Sequence, residues 1–198
     1  MTDVLLCVGN SMMGDDGAGP LLAEMCAVNP VGEWVVIDGG SAPENDIVAI
    51  RELRPERLLI VDATDMGLNP GEIRIVDPDD IAEMFMMTTH NMPLNYLIDQ
   101  LKEDIGEVIF LGIQPDIVGF YYPMTQPIKD AVEVVYARLD GWQGQGGFAA
   151  LEAAEEPAFP GYAQREPEVR SGEQASFFPG ARRKRLTRAT GSLALMNL

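Results

Sequence analysis

The chain reads as an α/β protein, a three-layer α/β/α sandwich around a largely parallel, twisted sheet of about five strands with one antiparallel edge strand. Three observations predict it. Short apolar runs alternate with segments of helical spacing along the first 140 residues. Those runs are apolar throughout rather than alternating, as strands buried on both faces are. One run, Glu72-Ile73-Arg74-Ile75-Val76, does alternate polar with apolar and so has one wet face.

Val4–Val8 is the first strand, and a helix spans roughly 20–29, because Pro20 is tolerated only in a helix's first turn. Trp34–Asp38 is the second strand, ending in Asp38-Gly39-Gly40-Ser41, and Pro43–Leu53 is the second helix. Arg57–Ala63 is the third strand and, like the second, closes on a carboxylate, Asp62. The turn Asn69-Pro70-Gly71 leads into the alternating strand, expected as a hairpin partner antiparallel to the third. After a helical turn near 78–85 and a loop at Thr88–Asn91, Pro93–Ile105 carries leucines and isoleucine at helical spacing. Val108–Ile113 is a further buried strand, and Ile128–Leu139 a terminal helix.

A glycine-rich break at 141–147 then separates residues 1–149, one α/β domain, from a tail, 150–198. The tail holds six acidic and seven basic residues, so of the net charge of -17 the first 149 residues carry -18. With so little apolar surface to offset ordering entropy, the tail is expected to be disordered. Its basic run Arg182–Arg185 is read as a solvated segment.

A charge of -17 argues against nucleic acid and anionic membrane surfaces as partners, both of which need Lys/Arg patches. The opening Met1-Thr2-Asp3 has no basic leader region, and no apolar run approaches a membrane span, so a cytoplasmic protein is expected. Cys7 and Cys26 fall on a strand and a helix and read as buried, reduced thiols.

Open α/β sheets bind ligands beyond the carboxyl ends of their strands. The polar residues at those ends are Asp15 and Asp16, Asp38, Asp62, and Gln114 with Asp116; His90, the only histidine, sits in the loop before the third helix. Four glycines and two adjacent carboxylates in Gly9–Gly19 form a strand-to-helix turn, and the carboxylates would repel a phosphate there. A cation is favoured over a nucleotide or flavin. Several carboxylates and one imidazole without thiolates suit Zn, Ni, Fe or Mn in an oxygen/nitrogen site. Each residue also has a plainer reading. Asp15 or Asp16 could cap the first helix, Asp38 and Asp62 could form turns, and His90 could mark a helix entry. A serine-hydrolase elbow is excluded by a loop one residue too long for G-x-S-x-G. H-E-x-x-H, G-x-G-x-x-G and Walker A sequences do not occur.

Gly9-Asn10-Ser11-Met12-Met13-Gly14-Asp15-Asp16-Gly17-Ala18-Gly19, Asp38-Gly39-Gly40-Ser41, Val61-Asp62-Ala63 and Thr89-His90-Asn91 together resemble the [NiFe]-hydrogenase maturation endopeptidases, nearest their hydrogenase 3 branch. The resemblance covers about residues 1–150, where members of that family end. It implies an endopeptidase, aspartic-type or metal-dependent, that removes a C-terminal extension from a hydrogenase large-subunit precursor, of hydrogenase 3 type, after nickel insertion. It also implies that Asp16, Asp62 and His90 contact nickel and that Asp38 is a further functional position. So sparse a ligand set suits reading nickel already held by the precursor, although other divalent ions could occupy the site. Whether Asp38 is the general base is left open. The alternative is a non-enzymatic nickel chaperone or assembly checkpoint using the same residues.

Overall fold

The computed structural model describes residues 2–76 and 94–142. Its elements in chain order are β1 (Asp3–Val8), α1 (Ala18–Val28), β2 (Trp34–Gly40), α2 (Ile47–Leu53), β3 (Arg57–Ala63), β4 (Ile73–Val76), α3 (Leu94–Lys102), β5 (Glu107–Ile113) and α4 (Gln126–Leu139). Short 3-10 turns at Asp15–Gly17 and Pro43–Asp46 lead into α1 and α2. The segment expected as one helix from Pro43 is therefore a 3-10 turn followed by seven α residues. The helical turn near 78–85, His90 and the boundary at 149/150 lie outside the described residues.

The five strands are ordered β2-β1-β3-β5-β4, with β1, β2, β3 and β5 parallel and β4 antiparallel. One expectation is corrected. β4 pairs with β5, Ile75 opposite Leu111, and not with β3. β3 already has β1 on one edge and β5 on the other, so the free edge on that side of the sheet is that of β5. The link from β3 to β4 passes through a glycine turn whose Gly71 N–H donates to Gln114 O at 2.8 Å, which seats β4 beyond β5.

Side-chain alternation divides the core in two. Leu5, Cys7, Leu59 and Val61 face α1 and α4, with Leu22 and Val132 packed against them. Leu6, Val8, Ile60 and Phe110 face α2 and α3, where Ile50 and Leu97 meet them. The result is the three-layer sandwich the apolar runs predict, and it decides where each strand-end carboxylate points.

At the amino ends of the strands, Arg57 Nε donates to Asp3 Oδ1 at 2.8 Å. The Arg57 guanidinium also lies 5.1 Å from the centre of the Trp142 ring, which packs at 4.8 Å on Trp34. No helix among the described residues is long and apolar enough to cross a membrane.

Candidate functional site

The chain leaves β1 outward to β2, then crosses back over it to β3 on its other side. Connections thus depart in opposite directions between β1 and β3, which opens a crevice beyond their carboxyl ends. Two segments border that crevice: residues 9–17 after β1, and Asp62-Ala63-Thr64 at the end of β3.

The 9–17 loop is folded tightly on itself. Gly9, at φ 135°, lies so close to Asp16 that a Cβ there would come within 2.0 Å of the Asp16 carbonyl oxygen. Gly14, at φ 67°, would place a Cβ 2.7 Å from Ile117 O. These glycines let backbone approach backbone.

Asp15 and Asp16 are adjacent, and their roles diverge. Asp15 is fully buried. Its Oδ2 accepts from the N–H groups of Asp116 and Ile117, each at 2.9 Å, and from the Thr125 hydroxyl at 3.0 Å; its Oδ1 accepts from Thr125 N–H at 2.6 Å. It therefore ties the loop after β5 and the first residue before α4 to the loop after β1. It is neither a cap of α1 nor a group with capacity left for a ligand. Asp16 is 4% exposed; its Oδ2 accepts from Asn10 N–H at 3.0 Å, and its turn packs against β3.

Asp62, 1% exposed, follows Ile60 by two residues on β3 and shares its face, that of α2 and α3. Thr64 stands two residues further on, and its buried hydroxyl has no hydrogen-bond partner among the described residues. Asp38 is different. It pairs in register with Cys7, which also pairs with Val61, so it belongs to the α1 and α4 face. It is exposed, its Oδ1 accepts from Gly40 N–H at 3.2 Å in a local turn, and it lines a groove of about 550 Å³ alongside α1. Gln114 is buried in the 65–68 turn, its Oε1 accepting from Met66 and Leu68 N–H at 2.7 and 3.1 Å, a structural duty. Asp116 contributes its backbone N–H to Asp15 and leaves its side chain exposed.

Thus the structure assembles Asp16 and Asp62 about one crevice and sets Asp38 on the groove beside it. Among the described residues no three His, Cys, Asp or Glu side chains form a metal-holding group. His90 lies outside those residues. Cys7 and Cys26 are free thiols in the core. Burial pushes the Cys7 thiol far up, with Cys26 and Asp38 adding to the shift, and burial raises Cys26 as well. Both stay protonated, so neither is a nucleophile.

The sequence reading passed over residues 117–124. Phe120-Tyr121-Tyr122, three aromatics belonging to no strand or helix pattern, were the available signal.

A doubly wound sheet with two buried carboxylates beside its switch point defines the class of α/β protein to which the chain belongs. Residues 21–141 match the family model of HycI, the hydrogenase maturation proteases. The Hydrogenase 3 maturation protease of Escherichia coli K12 is 90% identical over 156 residues, which span 79% of this chain and 100% of that protein. The solution structure of the endopeptidase HycI from Escherichia coli superposes with a TM-score of 0.71 at 90% identity, covering 79% of this chain and 100% of that one. The [NiFe] hydrogenase maturation protease HycI from Thermococcus kodakarensis superposes with a TM-score of 0.61 at 27% identity, over 69% of this chain and 88% of that one. The chain belongs to the hydrogenase maturation protease family, and it is a peptidase.

Proposed function

We propose that this peptidase removes the C-terminal extension of a [NiFe]-hydrogenase large-subunit precursor, of hydrogenase 3 type, once nickel has been inserted, and that it acts in the cytoplasm. The observation that carries this reading is the pair Asp16 and Asp62, two carboxylates 4% and 1% exposed that border the β1/β3 crevice. Oxygen ligands in a sheltered crevice suit a divalent ion presented by another molecule. Nickel here is part of the substrate. Asp16, Asp62 and His90 contact it, and the enzyme thereby registers that the precursor is loaded. Docking of the ion between these side chains brings the scissile peptide to a fixed place, and the ion polarises its carbonyl or an attacking water. The reading needs neither nucleic acid nor a membrane as partner, in keeping with the chain's charge of -17.

Asp38 lines the groove on the other face of the sheet and meets the peptide as it enters. As a peptide contact, Asp38→Asn lowers cleavage only several-fold; as the general base it would cost about 10²–10⁴. Steady-state rates of that variant separate the two roles.

The deciding experiment compares purified precursor with and without nickel. Rapid cleavage of the loaded form alone is expected, and equal rates would remove the nickel-reading step. Intact cleavage by His90→Ala would remove His90 from the contact set.

A further inference from the structure

Beyond β5 the chain runs outward across the 11–14 turn before entering α4. Asp15 N–H donates to Ile117 O at 3.0 Å, Gly119 N–H to Met13 O at 3.1 Å, and Tyr121 N–H to Met12 O at 2.8 Å. The Asp15 carboxylate adds its bonds to Asp116 and Ile117, so residues 116–122 form a ribbon fastened to the loop that carries Asp16.

Apolar side chains stand out from this fastened ribbon. Phe120, Tyr121 and Tyr122 are 59%, 75% and 58% exposed, and Val118 and Met12 beside them are exposed too. The Phe120 and Tyr121 rings pack on each other, with centres 4.2 Å apart. Tyr121 sits at φ 60°, in the left-handed region. That conformation is disfavoured for a non-glycine residue. Burying a ring instead is favourable. A backbone held in a costly conformation that keeps aromatics in water points to a surface that another protein covers. Next to it lies the groove along α1, whose charged lining consists of Glu24 and Asp38 with neither Lys nor Arg among the described residues.

We infer that the Phe120–Tyr122 ribbon and the acidic groove beside it form the docking face for the folded body of the protein substrate, which meets it with an apolar patch edged by Lys or Arg. This rests on the substrate proposed above. Charge selects the occupant. Acidic groups beside exposed aromatic faces attract cationic side chains, through ion pairing and through cation–π contact. A second copy of the chain brings its own -17 and is repelled. The face also lies where a docking face is useful. Residues 12–14 hold the ribbon by one side and lead directly into Asp16, so a body resting there presents its metal centre to the crevice.

The test is steady-state cleavage of purified, nickel-loaded precursor by the wild type, by the double variant Phe120→Ser/Tyr122→Ser, and by Glu24→Lys. Thermal melting checks each fold. For the double variant KM rises about tenfold or more, with the loss carried by KM rather than kcat. For Glu24→Lys, an exposed helix position, KM rises several-fold and the weakening of wild-type binding by added salt becomes shallower. KM within twofold of wild type for both variants overturns the docking face while leaving the cleavage reaction intact. So does a double variant that changes self-association but not KM, since a second copy would then be the occupant. Failure of the wild type to cleave the loaded precursor overturns both this face and the substrate assignment.

Discussion

The two ends of the sheet hold their carboxylates by different means. At the amino ends, Asp3 meets a guanidinium, with Arg57 Nε at 2.8 Å, and Arg57 is itself covered by Trp142. At the carboxyl ends, Asp15 is held by three backbone N–H groups and a hydroxyl, and Asp16 accepts from the N–H of Asn10. A guanidinium cancels the charge it pairs with. Amides and hydroxyls distribute a negative charge without cancelling it. The first arrangement adds cohesion only; the second preserves a negative field at the crevice, as the proposed contact with a substrate-borne cation requires. Acidity at one end is balanced by a cation within the chain, and at the other Asp15 is held by neutral donors.

This contrast can be broken in graded steps. The largest effect is expected at the crevice: Asp62→Asn or Asp16→Asn lowers cleavage of loaded precursor about a thousandfold, near 4 kcal/mol, while the melting temperature moves by a few degrees at most. A matching loss of stability would turn these carboxylates into structural groups. Next comes Asp15→Ala, which strips an acceptor from Asp116, Ile117 and Thr125 N–H and costs about 3 kcal/mol of stability, read by urea unfolding. Cleavage falls with it, because the loop bearing Asp16 loses its tie. At the other end Arg57→Ala costs about 1–2 kcal/mol, the value of a bidentate, partly sheltered pair, and leaves cleavage of the folded fraction at the wild-type rate.

The smallest effect is a pH dependence. Asp46 is raised above its ordinary value near 3.8, first by burial and then by the charge of Asp38. In the unfolded chain Asp46 releases its proton at a lower pH than in the folded one. Its contribution therefore favours the fold below about pH 4 and is lost as pH rises through the raised value. Asp46→Asn abolishes that loss. Its stability advantage over wild type should grow between pH 4 and pH 7 in melting curves, and an advantage that shrinks instead would contradict the raised value.

Much of this was legible in the residues. β1, β3 and β5 are continuous apolar runs buried on both faces, and β2, an edge strand, is an apolar run only half-buried. The positions of Asp16 and Asp62, beyond the carboxyl ends of β1 and β3, follow from the same strand assignments. The partner of β4 was not legible. Local alternation reveals that a strand has one wet face but not which edge of the sheet is free. Asp15 was undecided because its partners stand 101 to 110 residues away, beyond the reach of any local pattern. The faces of Asp38 and Asp62 depend on pairing register with β1, which spacing within a single strand does not contain.

The long reach of Asp15 has a consequence for the order of events during synthesis. Its tie spans 110 residues and ends at Thr125, where α4 begins. Contacts of such separation are among the last to form. The segment bearing Asp16 therefore leaves the ribosome early but gains its native shape only after β5 and α4 have emerged and docked. A nascent chain stopped short of residue 125 carries Asp15 and Asp16 but lacks the Thr125 N–H and hydroxyl that hold the loop around them.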